Sequence, residues 1–199
     1  MATDRPIARL CVFCGTNAGS RAEYGAAARE LGTLLAEEGI ELVYGGASVG
    51  IMGELADAVQ EGGGHVTGII PQQLIQKEAA HRGIQDLIVV ASMHQRKSQM
   101  ADLSDGFIAL PGGIGTLEGF FEILTWGQLG IHAKPCGILN IAGYFDALTT
   151  FLDHAVEEDF LTEAHRGTIM VESSPQALLE RMRAYEPPEG APLMGRANR

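Results

Sequence analysis

Short apolar runs alternate along the chain with longer segments in which apolar residues recur at helical spacing. A continuous apolar run is typical of a strand buried on both faces of a sheet, whereas spacings of three and four residues predict an amphipathic helix. The runs predict strands at about residues 9–14, 41–44, 65–70, 87–91, 106–110, 135–141 and 168–171. The segments between them predict helices at about 20–38, 51–60, 92–103, 116–129, 144–157 and 174–183.

Strands that alternate with helices in this way predict right-handed βαβ units. We therefore expect an α/β fold, a three-layer sandwich with a mainly parallel central sheet and helices on both faces. A chain of 199 residues suits one domain, which we assign to residues 1–185. Three prolines and two glycines within residues 186–199 predict a disordered C-terminal tail.

The strand, turn and helix at residues 106–129 carry the clearest signal for a ligand. Pro111 ends the strand because it has no backbone N–H to donate. Three glycines of the turn, Gly112, Gly113 and Gly115, leave its other N–H groups uncovered. The helix that follows directs its free N–H groups and positive dipole end at the same turn. The turn is predicted to bind an anion, most naturally phosphate, and a tight turn without a ligand is the alternative.

Four loops follow predicted strands, at residues 15–20, 45–50, 92–98 and 111–116. Because the carboxyl ends of parallel strands meet at one edge of a sheet, these loops are expected to share one rim, where such folds bind ligands. The loop at 45–50 is a second glycine turn, but its glycines lack the spacing of the dinucleotide fingerprint. The hydroxyls of Ser48 and Thr116 would add donors for a phosphate.

Charged residues on this rim suggest chemistry beyond anion binding. Arg96 and Lys97 begin a helix, where two cations are unfavourable beside the helix dipole unless an anion is bound; a solvated helix face is the alternative. Glu118 and Glu122 lie one turn apart on the helix that follows the glycine turn. They either pair with the helix dipole or stabilise positive charge on a sugar ring, as the oxocarbenium-like transition state of glycosidic cleavage requires.

Composition and charge narrow the function classes. The net charge of −11 argues against a general nucleic-acid binder, which needs a basic face, but not against a small anionic ligand. The sequence has no apolar stretch of about 18 residues and no h-region of signal type. We therefore expect a cytoplasmic protein without a membrane span.

Cysteines and histidines give no sign of a metal site. Cys11 and Cys14 are expected to point to opposite faces of the first strand, as buried structural cysteines. The six histidines have no metal-ligand spacing, and His94 is the only one expected on the rim.

Four stretches together resemble one family: YGGASVGIMG at 44–53, SMHQRK at 92–97, PGGIGT at 111–116 and TWGQLG at 125–130. They are similar to the Lonely Guy family of cytokinin riboside 5′-monophosphate phosphoribohydrolases, over about residues 8–185. The resemblance implies a Rossmann-like homodimer that hydrolyses the N-glycosidic bond of N6-modified AMP, with AMP as a further substrate, and that uses no cofactor or metal. An older family label, lysine decarboxylase, fits poorly, because a pyridoxal enzyme needs a Schiff-base lysine within a recognisable constellation.

The resemblance also implies roles for individual residues. Arg96 matches the catalytic arginine, and Met93 matches the wall beside the base. The implied substrate contacts are the phosphate cradle of Gly113, Gly115 and Thr116, helped by Gly46 and Ser48, and further residues Gly15, Thr16, Lys97 and Gly112.

One position departs from the family pattern. The motif P-G-G-x-G-T-x-x-E has its glutamate at position 119, where this chain has Gly119. Glu118 is rotated by about 100° around the helix from that position, and Glu122 lies about 4.5 Å further along the axis. Both stay candidate catalytic carboxylates. The alternatives are a nucleotide- or molybdenum-cofactor-binding protein without turnover, and other phosphosugar chemistry on the same rim.

Overall fold

The computed structural model describes residues 7–75, 77 and 79–187. The predicted disordered tail falls mainly on residues 188–199, which lie outside the described residues. Within the described ranges the strands are β1 Arg9–Phe13, β2 Glu41–Tyr44, β3 Val66–Pro71, β4 Asp86–Val90, β5 Gly106–Ala109, β6 Cys136–Leu139 and β7 Ile169–Glu172. The α-helices are α1 Ala22–Glu37, α2 Gly50–Glu61, α3 Met93–Leu103, α4 Ile114–Gln128, α5 Asp146–Glu157, α6 Glu163–Gly167 and α7 Pro175–Arg183.

All seven strands form one parallel sheet in the order β4-β3-β2-β1-β5-β6-β7. This confirms the predicted Rossmann-like α/β fold. Strand β1 is central, and its Leu10 pairs with Leu42 of β2 on one side and with Gly106 of β5 on the other. The chain therefore reverses its direction of travel across the sheet between β1 and β5, which creates the topological switch point where such sheets bind ligands.

The two faces of the sheet have separate apolar clusters. One cluster packs α1, α2 and α7 on the sheet and contains Cys14, and the other packs α3, α4 and α5 on the opposite face and contains Cys11. The two thiols thus point to opposite faces and are buried, as predicted. Burial raises the pKa of the Cys14 thiol to about 12, so it is protonated and unreactive at neutral pH.

Some predicted boundaries were wrong. Helix α1 begins at Ala22, two residues after the predicted start, and its N-cap residue Arg21 makes no side-chain capping bond. Helix α4 begins at Ile114, two residues before the predicted start, because Gly113 is its N-cap. The short helix α6 was not predicted; its five residues are too few to show a period, and Thr162 caps it by accepting a hydrogen bond from the His165 N–H.

Within the described ranges, every helix is too short or too polar to cross a lipid bilayer.

Candidate active site

A cavity of about 470 Å³ opens at the carboxyl ends of β1 and β5, at the switch point of the sheet. Its walls come from residues 12–19, 111–116, four side chains of α3, and positions near the starts of α2 and α4. Three of the four loops predicted to share a rim therefore contribute most of its wall. Such a cavity suits a ligand of the size of a nucleotide.

The glycine turn after β5 forms one wall of this cavity. The first hydrogen bonds within α4 run from the Thr116 and Leu117 N–H groups to the Gly113 carbonyl. The N–H groups of Ile114 and Gly115 precede them and have no acceptor within the helix. A Cβ atom at Gly113 or Gly115 would meet nothing within 4 Å, so this stretch of backbone is open to a ligand. The geometry is that of an anion site at a helix N-terminus.

The opposite side of the same turn is closed by packed side chains. The buried Thr116 side chain lies under Gly112, where a Cβ atom would be 2.1 Å from its Oγ1. The Tyr144 hydroxyl donates a hydrogen bond of 2.6 Å to the Gly112 carbonyl. Sequence reasoning did not find Tyr144, although it follows the predicted strand at 135–141 and so belongs to the same rim.

The loop after β1 lies next to this turn. The Gly15 N–H donates to the Pro111 carbonyl at 3.1 Å, and the Gly15 carbonyl accepts from the Met52 N–H at 3.2 Å. Gly15 and Thr16 line the cavity, and their substrate-binding role stays a prediction. Gly50, with φ of +62°, contacts the Thr16 backbone so closely that a Cβ atom would lie 2.3 Å from it.

The second glycine turn contributes less than its sequence suggested. Gly46 packs on β3, and neither it nor Ser48 is among the residues that line the cavity. The Ser48 N–H and hydroxyl both donate to the Ala79 carbonyl, at 2.9 Å and 2.6 Å. The donors of Ser48 are therefore taken by the chain itself, and the phosphate-binding role of these two residues stays a prediction.

Arg96 is buried in the cavity wall, with 7% of its surface exposed. Its Nε donates to the Ile69 carbonyl at 3.0 Å, and its Nη2 donates to the Gly45 carbonyl at 2.7 Å. Gly45 makes room for it, because a Cβ atom there would lie 2.2 Å from Nη2. This placement excludes a solvated helix face for Arg96. A buried guanidinium at a cavity wall can attract an anionic ligand strongly.

Lys97 lies between the two predicted carboxylates. Its Nζ donates to Glu118 Oε1 and lies 2.8 Å from Glu122 Oε2. Burial lowers the pKa of Lys97, but the two carboxylates outweigh it, so the pKa lies above its ordinary value and the side chain stays charged. Because α4 begins at Ile114, Glu118 lies in the second helical turn. Its partner is Lys97 rather than the helix dipole.

Gly119 and Phe13 meet at the cavity wall. A Cβ atom at Gly119 would lie 2.8 Å and 2.9 Å from two carbons of the Phe13 ring. Among the described residues that line the cavity, Glu118 is the only carboxylate; Glu122 is set back behind Lys97.

An apolar wall completes the cavity and includes the predicted Met93 with Met52 and Met100, whereas His94 is not part of the lining. Methionine is flexible and polarizable, so this wall can adapt to an apolar or aromatic group.

The fold and the site together define a Rossmann-like protein with a cavity and a glycine turn, at a helix N-terminus, at its switch point. A family model described as "Possible lysine decarboxylase" matches residues 52–182. A probable cytokinin riboside 5′-monophosphate phosphoribohydrolase of Oryza sativa subsp. japonica is 50% identical over 90% of this chain and 72% of its own length. A cytokinin riboside 5′-monophosphate phosphoribohydrolase of Arabidopsis thaliana is 48% identical over 94% of this chain and 88% of its own length. The chain belongs to this family, the Lonely Guy family.

Solved structures of lower identity share the fold. The molybdenum cofactor binding protein of Rippkaea orientalis superposes with a TM-score of 0.66 at 22% identity, over 90% of this chain and 97% of its own. The molybdenum cofactor carrier protein of Chlamydomonas reinhardtii superposes with a TM-score of 0.68 at 22% identity, over 90% of this chain and 99% of its own.

Proposed function

We propose that this protein hydrolyses the N-glycosidic bond of cytokinin riboside 5′-monophosphates, and of AMP, to release the free base and ribose 5-phosphate. The proposal rests on its membership of a family whose curated relatives carry this activity in their names. The observation that carries it in the structure is one cavity that contains an anion-binding turn, a buried arginine and a carboxylate.

Each wall of the cavity has a part in this reaction. The 5′-phosphate would accept hydrogen bonds from the N–H groups at Ile114 and Gly115, at the N-terminus of α4. Arg96 would contribute positive charge to the same cavity from its place at the ends of β2 and β3. Met93 would contact the base. Glu118 is the carboxylate that is able to face the ribose.

The chemistry needs charge stabilisation and one water molecule. As the bond between C1′ and the base nitrogen breaks, its electron pair leaves with the base and the ribose gains oxocarbenium character. A carboxylate beside the ring, proposed to be Glu118, stabilises that positive charge. Water adds its oxygen to C1′, and the proton that it loses balances the one gained by the released base.

Chromatography of reaction mixtures tests the proposal. Purified protein incubated with AMP or an N6-prenylated AMP should release adenine or the prenylated base together with equimolar ribose 5-phosphate. Adenosine should react far more slowly, because it lacks the phosphate that the glycine turn would bind. Folded protein that releases no base from either nucleotide would contradict the activity.

Binding without turnover is the second candidate function, and Gly119 is the observation that favours it. A comparison of wild type with Gly119→Glu, alone and combined with Phe13→Leu to make space, separates the two. Nucleotide binding in all three proteins, with hydrolysis only after glutamate is introduced, would favour a binder. Strong hydrolysis by wild type removes this candidate.

We further propose a homodimer in the cytoplasm, on the strength of the resemblance. Sedimentation velocity should give a species of about twice the chain mass of 21.2 kDa. A monomer at micromolar concentration would contradict the dimer without affecting the proposed activity.

A further inference from the structure

We infer that Lys97 is a positioning residue that holds Glu118 at the cavity wall, with Glu122 as its second anchor, rather than a cation that binds the substrate phosphate. The inference rests on the proposed function and deepens it, because it assigns separate tasks to the three charged residues beside the glycine turn.

The exposure of the three side chains supports this order of roles. Lys97 has 12% of its side chain exposed, Glu122 has 26%, and Glu118 has 52%. The ammonium group is thus the least exposed member; it donates a hydrogen bond to Glu118 Oε1, and its Nζ lies 2.8 Å from Glu122 Oε2. A phosphate that approached Lys97 would meet two carboxylates that already balance the charge of the ammonium group and would repel a further anion. The N–H groups of Ile114 and Gly115, at the start of α4, offer donors away from these carboxylates.

Glu118 needs such an anchor because of its position. A half-exposed glutamate on a helix samples several rotamers, and ordering it costs conformational entropy. The hydrogen bond from Lys97, which belongs to α3, fixes Glu118 from a neighbouring helix. Glu122 lies one helical turn further on α4 and forms a second ion pair with the same ammonium, with Oε2 2.8 Å from Nζ. The pair therefore orders a carboxylate next to the place where the family motif has its glutamate.

Steady-state kinetics distinguish positioning from phosphate binding. If Lys97 positions Glu118, Lys97→Met should lower kcat for AMP by about tenfold or more, with a change in KM of less than about threefold. Lys97→Arg, which keeps a cation, should recover part of kcat. Lys97→Met and Glu118→Gln should be strongly non-additive, because each removes the same ordered carboxylate.

A second variant and a matched control show whether a loss of activity comes from the changed contact or from misfolding. Glu122→Gln leaves Lys97 in place and weakens one anchor, so it should lower kcat by about two- to fivefold with an unchanged melting temperature. Arg29 is also a cation with two carboxylate partners, Glu54 and Glu61, but it lies on the α1–α2 surface. Arg29→Met should leave both kcat and KM near the wild-type values.

Calorimetric titration with AMP provides a readout that does not depend on turnover. Lys97→Met should bind AMP with an affinity within about threefold of wild type. A loss of about tenfold or more in affinity, or a raised KM with unchanged kcat, would overturn the inference and make Lys97 a phosphate ligand. A wild-type protein that binds AMP but releases no adenine would instead overturn the proposed function, so the two failures are distinguishable.

Discussion

Arg96 connects the carboxyl ends of two strands through its guanidinium. The Ile69 carbonyl belongs to β3, and the Gly45 carbonyl directly follows β2. Since buried carbonyl groups need donors, Arg96 has a structural task as well as its proposed place at the substrate.

Arg96→Ala is expected to abolish measurable turnover while the fold is kept. Loss of a charged donor at the site should lower kcat by about a hundredfold or more. The two carbonyls left without this donor should lower the free energy of unfolding by about 1–3 kcal/mol. Kinetics and chemical denaturation measure the two effects separately.

Arg96→Lys is the informative companion variant. It keeps the positive charge but cannot reproduce both guanidinium hydrogen bonds. Turnover near the wild-type level in this variant would show that charge alone suffices. Global unfolding of Arg96→Ala would show that the residue is mainly structural.

Replacement of Gly119 by alanine is expected to lower the free energy of unfolding, whereas the same replacement at an ordinary helical glycine raises it. Gly→Ala inside a helix usually stabilises by about 0.5–1 kcal/mol. At Gly119 the new Cβ would overlap the Phe13 ring, and overpacking of this kind costs about 1–3 kcal/mol. Thermal and urea unfolding should therefore find Gly119→Ala less stable than wild type.

Two further variants test the cause of this effect. Addition of Phe13→Leu should recover part of the lost stability, because the smaller side chain leaves room. Gly25→Ala in α1 is the matched control, since its Cβ would meet only the Glu54 side chain, at 3.8 Å. A Gly119→Ala protein as stable as the Gly25→Ala protein would mean that the ring moves aside without cost.

His132 lies in the segment that connects α4 with β6, and its neutral imidazole stabilises this segment through two hydrogen bonds. Its Nε2 donates to the Ile123 carbonyl at 2.9 Å, and its Nδ1 accepts from the Lys134 N–H at 3.1 Å. Burial lowers its pKa, the charge of Lys134 lowers it too, and the Ile123 carbonyl partly offsets both. Protonation would therefore remove the acceptor at Nδ1 and place a charge in a poorly solvated site.

The stability of the protein should consequently fall as the pH drops below about 6.5, the ordinary histidine pKa. The folded state holds this proton less tightly than the unfolded state, so acid favours unfolding and the contribution of His132 is present only above that pH. His132→Gln should flatten the dependence of unfolding free energy on pH between about 5 and 6.5. The exposed His154, replaced in the same way, is the control, and equal slopes in both variants would contradict this role.

The type and order of the seven strands and of every helix except α6 were predictable from the sequence, because the apolar periods of strands and helices differ and each strand is followed by a turn signal. The start of α4 at Ile114 was not predictable, because it depends on the backbone conformation that makes Gly113 the N-cap residue. The departure at Gly119 is visible in the sequence. The Phe13 ring that fills its space, the pairing of Lys97 with both carboxylates, and the Tyr144 hydroxyl are contacts between distant segments that no local pattern encodes.

At the scale of the whole molecule, the switch point confines ligand binding to the edge of the sheet formed by the carboxyl ends of the central strands. Hydrogen exchange in the presence of AMP, measured in a slowly hydrolysing variant such as Arg96→Lys if needed, should slow in residues 12–19 and 111–119. Exchange in β7 and α7 should not change, because they lie at the far edge of the sheet.

The same hydrogen-exchange experiment tests whether Gly46 and Ser48 belong to the phosphate cradle. Protection there would support the predicted role in the phosphate cradle, whereas unchanged exchange would agree with donors already held by Ala79. Protection confined to β7 would contradict the location of the site.

The central position of β1 has a consequence for synthesis on the ribosome. Its first partner, β2, emerges soon after it, but β5 pairs Gly106 with Leu10 only after some 96 further residues. At about 5–20 residues per second, the nascent chain carries an unpaired edge on its innermost strand for roughly 5–20 s. Asp105, whose carboxylate accepts the Ala8 and Arg9 N–H groups at 2.9 Å, arrives together with that partner. Translation must therefore pass the middle of the message before the cavity beside β5 can form, and a pause before that point prolongs the interval in which the edge of β1 is exposed.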